Sequence, residues 1–195
     1  MILLGLLLEH IGADAAWRLV DRGEGNQTEE TVEFLEDNQI CTWAEERGLL
    51  RGERFDVRLP ELPSTHRAAY ADGRRSGREG AAAEELIAGL GSWDECVVWI
   101  RLWGVWPSGE DWPQFYTWRG ALGERRPLET APGHRFDSGE TFHLAALLKL
   151  VMQNAWDADV LCSVRGRADR VRARISHDEW FELFGSSPEL ADSAG

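Results

Sequence analysis

The sequence has few cysteines, no long apolar run and no excess of positive charge. Its three cysteines, Cys41, Cys96 and Cys162, are far apart along the chain, and no Cys-x-x-Cys pair occurs. We therefore expect neither a disulfide framework nor a cysteine-rich zinc site, and this cysteine usage is typical of a reducing, cytoplasmic compartment. The apolar segment at residues 2–8 is about a third of the roughly 20 residues that a membrane-spanning helix needs. No basic segment precedes it, so we expect neither a membrane span nor a signal peptide.

Positive charge is scarce, because 34 Asp and Glu residues outnumber 21 Lys and Arg residues and give a formal net charge of −13. Nucleic acids and anionic membranes attract clusters of cations, so we expect neither as a partner. The sequence contains two groups of arginines. One consists of Arg74, Arg75 and Arg78, and the other lies at residues 170–174. Each group indicates either contact with phosphate or a solvated, internally paired face. The overall acidity fits a protein partner with a basic surface, and simple solubility is the alternative.

Specific catalytic motifs are missing from the sequence. It contains no Walker loop, no Gly-x-Gly-x-x-Gly, no Gly-x-Ser-x-Gly and no His-Glu-x-x-His. The run Ser176-His177-Asp178 has the residue types of a catalytic triad, but neighbours in sequence point in different directions. This favours a binding protein over an enzyme.

The hydrophobic pattern predicts an α+β fold, with a mixed or antiparallel sheet, packed helices and a helical N-terminal third. Ten Trp and seven Phe residues supply a sizeable core, mostly in the second half of the chain. We predict a mainly helical region at residues 1–91 that ends in a Gly/Arg-rich connector. An α+β core domain at residues 92–184 and a flexible tail at residues 185–195 follow.

Individual elements follow from periodicity and from start and stop signals. We predict a helix from Thr28 to Gly48, a strand at residues 54–59, and a loop followed by a helix at residues 81–90. In the second half we predict a central strand at residues 96–103 and helices at residues 112–122 and 139–155. A hairpin at residues 158–164 and 170–175 follows, and Ser176 begins a short final helix that ends at Phe184. Because the central strand is so apolar, helices on both faces of the sheet are an alternative to helices on one face.

An acidic segment is the first candidate binding surface. Between Asn26 and Arg47 the chain carries seven acids and no base. These acids form either a solvated face or a docking surface for a basic protein. The Trp side chains that lead out of the central strand either fill the core or form a binding hot spot. The predicted binding residues are Glu29, Glu30, Glu33, Glu36, Asp37, Trp103, Trp106 and Trp112.

A set of histidines and a glutamate is the second candidate site. Glu140 and His143 are three residues apart on a predicted helix and so share a face, and a Glu-x-x-His pair can ligate a metal ion. His134 precedes this helix and His177 follows the hairpin, so the predicted metal ligands are His134, Glu140, His143 and His177. The alternative is structural, because Glu140 also fits the third position of a helix-capping box that begins at Asp137.

Four sequence motifs resemble a family of uncharacterised bacterial proteins. They are Trp-Gly-Val-Trp-Pro-Ser-Gly-Glu at residues 103–110, Ala-Pro-Gly-His-x-Phe at 131–136, Trp-Asp-Ala at 156–158 and Ser-His-Asp-Glu-Trp at 176–180. The resemblance covers less than half of the chain and implies no activity for any residue. It supports one folding unit over residues 93–184.

Together these features predict a small acidic protein-binding module, such as an inhibitor, an immunity protein or an antitoxin-like protein, that needs no cofactor. The alternative is a metal-dependent hydrolase or metal-binding enzyme that holds a divalent ion with the His/Glu set.

Overall fold

The structure, a computed structural model, describes residues 32–49, 64–70, 77–105, 111–164 and 171–185. The chain divides into two units, Met1–Glu30 and Thr31–Gly195, and all described residues belong to the second. The described strands are β1 (Glu33–Leu35), β2 (Ser64–Ala69), β3 (Glu95–Leu102), β4 (Gly133–Asp137), β5 (Asp157–Ser163), β6 (Val171–Ser176) and β7 (Trp180–Phe184). The described helices are α1 (Asp37–Glu46), α2 (Glu79–Leu90), α3 (Trp112–Ala121) and α4 (Thr141–Gln153), with a 3-10 turn at Ser138–Glu140 before α4.

The described strands form one antiparallel sheet in the order β1-β4-β3-β5-β6-β7-β2. Every strand pair is antiparallel, and β3 lies between β4 and β5. The prediction of an α+β fold with an antiparallel sheet and packed helices is thus confirmed. The predicted boundary at residues 91 and 92 falls inside one compact unit, because β1, β2 and α2 join the same sheet and core as the later elements.

Strand β3 is apolar because both of its faces are covered. Cys96, Val98 and Ile100 face the main core, where α2 and α4 pack. Val97 and Trp99 face a second, smaller core formed with α1. Side chains alternate between the two faces of a strand, so helices on both faces account for a run without polar alternation. The both-face alternative is therefore the one that the structure adopts.

Helix α1 lies very close to β4 at Gly133. A Cβ atom on Gly133 would lie 2.6 Å from the Ile40 side chain and 3.0 Å from the Leu35 Cβ atom. Only glycine leaves room for this contact, because real Cβ atoms are not found so close to other heavy atoms. The glycine thus sets how closely α1 covers the second face of the sheet.

The predicted helix from Thr28 to Gly48 is wrong over residues 33–35. That segment is β1, in which Phe34 pairs with His134 of β4, and α1 begins only at Asp37. The Glu36 amide donates to the Gln39 Oε1 atom at 2.8 Å and so marks the helix start. Cross-strand pairing therefore outweighs a helical pattern that sequence propensity alone favours. Residues 1–31 of the predicted helical third and the predicted strand at residues 54–59 lie outside the described residues.

The predicted final helix up to Phe184 is also wrong, since this segment is strand β7. Glu179 adopts a φ of 64° and its amide donates to the Ser176 carbonyl at 3.0 Å, which closes a tight turn. After the turn Phe181 and Leu183 are buried, and the residues that alternate with them, Trp180, Glu182 and Phe184, are half-buried. This period of two matches a strand. Strand β2 was predicted as a loop, because an edge strand with mostly exposed side chains carries no apolar pattern.

Candidate functional site

The outer surface of α1 is acidic and carries no base. Its exposed residues are Asp37, Asn38, Gln39, Thr42, Glu45 and Glu46, whereas Ile40, Cys41, Trp43 and Ala44 face the second core. The first base after the helix is Arg47, which stacks 4.7 Å from the Trp43 ring and binds Glu95 at 2.6 Å. The helix therefore presents negative charge on one side because its apolar stripe occupies the other.

Three of the predicted acidic binding residues already have internal partners. Glu33 pairs with Arg135 at 2.5 Å, and Glu36 lies 3.6 Å from Arg126. The Trp99 Nε1 group donates to Asp37 at 2.9 Å. Such contacts hold β1 and α1 on the sheet and neutralise part of the segment. Glu45 and the largely exposed Glu46, which lies 3.6 Å from Arg47, contribute most of the outward charge. Glu29 and Glu30 lie outside the described residues.

The predicted Trp residues lie against the main core. Trp103 and Trp112 are half-buried and pack on it, and Trp106 lies outside the described residues. The Trp112 ring is 4.9 Å from the Trp156 ring and stacks on Tyr116 at 5.8 Å. These two indoles therefore belong mainly to the core, and only part of each is exposed to a partner. They lie on the side of the sheet opposite α1. One flat partner surface therefore does not contact both the predicted acidic residues and the predicted Trp residues.

The four predicted metal ligands do not converge. Glu140 follows Asp137, whose register partner is Glu95 at the start of β3. His177 binds Asp157, whose register partner is Leu102 at the end of β3. Seven residues of strand separate those two positions by about 23 Å. Among the described residues, no three His, Cys, Asp or Glu side chains form a group that could hold a metal ion.

His134 is a buried structural residue beside a buried arginine. Both side chains are fully buried, and Arg119 Nη1 donates to His134 Nε2 at 3.2 Å. That bond occupies the lone pair that a metal ion would need. Burial, and then the Arg119 charge, lower the His134 pKa to about 3. The imidazole is therefore neutral and serves as a hydrogen-bond acceptor inside the core.

Arg119 is held by neutral acceptors rather than by a carboxylate. Its guanidinium donates to the Ala131 carbonyl at 3.0 Å and to the Arg126 carbonyl at 3.1 Å. Phe34 and Phe115 lie 5.1 and 5.3 Å from its central carbon and add cation–π attraction. Sequence reasoning missed this residue. Its only signal was a lone arginine in the apolar stripe of α3.

The remaining three predicted ligands have local surroundings. The half-buried His143 lies beside the Phe142 ring, 5.6 Å away. Glu140 accepts a hydrogen bond from the Asp137 amide at 2.7 Å, as the capping-box alternative predicted. His177 Nδ1 lies 2.9 Å from the Asp157 carboxylate, which also accepts the His177 amide at 2.7 Å. Ser176 is buried and accepts the Asp178 amide at 3.2 Å. The Ser-His-Asp run thus forms a turn and does not assemble a triad.

Two cysteines that are far apart in sequence meet in the core. Cys96 and Cys162 are direct register partners on β3 and β5, and their Sγ atoms are 3.5 Å apart. Burial, followed by the hydrogen bond with Cys162, raises the Cys96 pKa well above its usual range. Cys96 is therefore a neutral thiol, and the two side chains pack together in the main core.

A cluster of three arginines around one aspartate lies on the sheet face that α1 shares. Asp159 of β5 is 2.7 Å from Arg172, 3.6 Å from Arg101 and 3.7 Å from Arg174. Burial lowers the Arg172 pKa, and Asp159 acts in the opposite direction. The sequence indicated a cationic face on β6, but it gave no sign that Asp159 is the shared partner.

Comparisons with protein-family models, curated proteins and solved structures found no match. The resemblance to an uncharacterised bacterial family therefore stays a prediction. Within the part of the chain that the structure describes, no helix is long and apolar enough to cross a membrane.

Proposed function

We propose that this protein is a small acidic binding module that docks a protein partner with a basic surface through the outer face of α1. An inhibitor, an immunity protein or an antitoxin-like protein is the kind of module that fits this description. The observation that carries the proposal is a helix surface that exposes Asp37, Glu45 and Glu46 and no base.

Nearby arginines are already bound within the protein, and this preserves the negative charge of the α1 surface. Arg47, Arg126 and Arg135 contact carboxylates, and Arg119 is buried. Arg47 also lies 3.6 Å from the largely exposed Glu46, whereas none of these arginines pairs with Glu45. A net charge of −13 adds long-range attraction for a basic partner and speeds its association, mostly through the on-rate.

Affinity chromatography on the full chain, with lysate of the native host at low salt, identifies the partner by mass spectrometry. Binding of the purified partner is then measured for Glu45→Lys and for a matched control, Glu84→Lys, an exposed glutamate on α2. Both variants change the charge equally. Glu45→Lys lies in the last turn of α1, where a base is favourable to the helix, so it should fold.

We expect Glu45→Lys to weaken binding about tenfold, mainly through slower association, and Glu84→Lys to change it little. Equal losses in the two variants would mean that net charge alone attracts the partner. Failure to recover a stoichiometric partner at low salt would refute the proposal.

A further inference from the structure

The cluster around Asp159 has more positive than negative charge. Asp159 is the single carboxylate within 4 Å of Arg101, Arg172 and Arg174 among the described residues, at 2.7–3.7 Å. The Asp159 side chain is 6% exposed and that of Arg172 is 9% exposed. Two guanidinium charges in excess of one buried carboxylate leave a positive site, because charges in a partly buried place are weakly screened.

Two of the three arginines are held in place by aromatic rings. The central carbon of Arg101 lies 3.9 Å from the Trp99 ring, and that of Arg172 lies 5.3 Å from the Phe184 ring. Stacking restrains guanidinium groups and leaves their in-plane N–H donors free to bind oxyanions. The cluster is thus pre-organised before any ligand arrives.

Donor groups remain unused at the cluster. The Nε group of Arg172 is buried and has no hydrogen-bond partner among the described residues. Arg101 and Arg174 are 40% and 50% exposed, and each approaches Asp159 only at 3.6–3.7 Å, beyond a good hydrogen bond. An incoming oxyanion would therefore be met by the exposed donors of Arg101 and Arg174.

Adjacent charges on this face nearly balance each other. Glu182 of β7 is the register partner of both Arg174 and Arg67. Arg67 stacks 3.8 Å from the Trp180 ring. The pair Arg67 and Glu182 adds no net charge. Asp37 binds the Trp99 indole on which Arg101 stacks and lessens the positive excess at Asp159 without forming an ion pair with Arg101.

We propose that Arg101, Arg172 and Arg174 form a binding site for the phosphate group of a small phosphate monoester. A phosphate dianion matches two excess guanidinium charges, and its oxygens accept the paired donors of arginine. A nucleic acid is disfavoured, because its further phosphates would meet an exterior with a net charge of −13. The site is independent of the proposed function, since it needs no protein partner.

The test is calorimetric titration of the full chain with inorganic phosphate and with phenyl phosphate in a phosphate-free buffer of low ionic strength. Arg174→Gln removes a half-exposed arginine, so the fold should survive. Arg135→Gln on β4 is the matched control, since Arg135 also contacts carboxylates on the surface of the sheet. Asp159→Asn keeps an acceptor for Arg172 but removes the competing negative charge.

We expect saturable binding of phenyl phosphate, about a tenfold loss in Arg174→Gln and no change in Arg135→Gln, as for removal of one charge-assisted hydrogen bond. Asp159→Asn should bind more tightly than the wild type, an outcome that a merely structural ion-pair network does not give. The absence of saturable binding by both the wild type and Asp159→Asn up to about 10 mM ligand, an affinity too weak for a specific site, would overturn the proposal. Binding of inorganic phosphate with exclusion of phenyl phosphate would overturn the monoester assignment.

Discussion

Acidification should destabilise this protein through His134. The imidazole is fully buried and accepts a hydrogen bond from Arg119. A proton on Nε2 would break that bond and place a second positive charge beside the guanidinium. Protonation is therefore more favourable in the unfolded chain than in the folded one, which is why the folded-state pKa is lowered to about 3 from an ordinary value of 6.5.

The sign and size follow from proton linkage. Between pH 6.5 and pH 3 the unfolded chain binds the proton and the folded chain does not, so stability falls as pH falls. The stability is fully present above the unfolded-state pKa and is lost at up to about 1.4 kcal/mol per pH unit. From pH 7.5 to pH 4.5 we expect His134 to account for about 2–3 kcal/mol of lost unfolding free energy.

The assay is urea unfolding, followed by tryptophan fluorescence, at one-unit steps from pH 7.5 to pH 4.5. His134→Gln removes the titrating group and keeps an oxygen that can accept from Arg119. The variant should be less stable at pH 7.5, because it packs less well, but its stability should depend less on pH. His66→Gln is the control, because it makes the same substitution at an exposed histidine.

The comparison between variants isolates His134 from the carboxylates, which titrate in both proteins over the same range. The decisive quantity is the difference in unfolding free energy between wild type and His134→Gln at each pH. That difference should shrink by about 2–3 kcal/mol from pH 7.5 to pH 4.5. Parallel curves over this range would refute the buried, neutral imidazole on which the reasoning depends.

Two further predictions concern the second face of the sheet. Gly133→Ala should reduce the unfolding free energy by about 1–3 kcal/mol, because the new methyl group meets Ile40, whereas Gly139→Ala, with open space around its Cβ position, should not lose stability through such a clash. Urea unfolding measures both, and a neutral Gly133→Ala would contradict the close approach of α1. Asp159→Ala should cost about 3–5 kcal/mol, because it leaves the buried Arg172 charge without its carboxylate. Asp159→Asn should cost less, and equal losses in the two variants would show that the carboxylate does not hold Arg172.

Much of the second half of the fold could be predicted from sequence because its signals are local. The apolar run of β3, the helical spacing of α4 and the alternation of β6 each match one repeat of backbone geometry. Segment 33–35 and β7 were mispredicted because acids or turn residues next to them favour a helix start locally. Their strand state depends on β4 and β6, which pair with them from far along the chain.

The candidate sites likewise combine features that local sequence shows with features that depend on long-range contacts. An acidic face on α1 is readable from sequence, since seven acids and no base lie between Asn26 and Arg47. That Glu33 and Glu36 bind arginines of later segments is not readable, because the pairing depends on where β4 and the segment after α3 return to α1. The predicted His/Glu site failed for a related reason. Residue types suggested ligands, but the register places His177 and Glu140 at opposite ends of β3.

The sequence by itself determined the elements whose residues interact with their own neighbours, the acidity of the exterior and the aromatic content of the core. Tertiary structure alone decided which strands pair, which arginines are buried beside His134 and Asp159, and that Cys96 meets Cys162. The physical reason is the separation along the chain between the residues that interact. Helix periodicity and charge are properties of short segments, whereas pairing, burial and lowered pKa values depend on atoms that only the folded chain brings together.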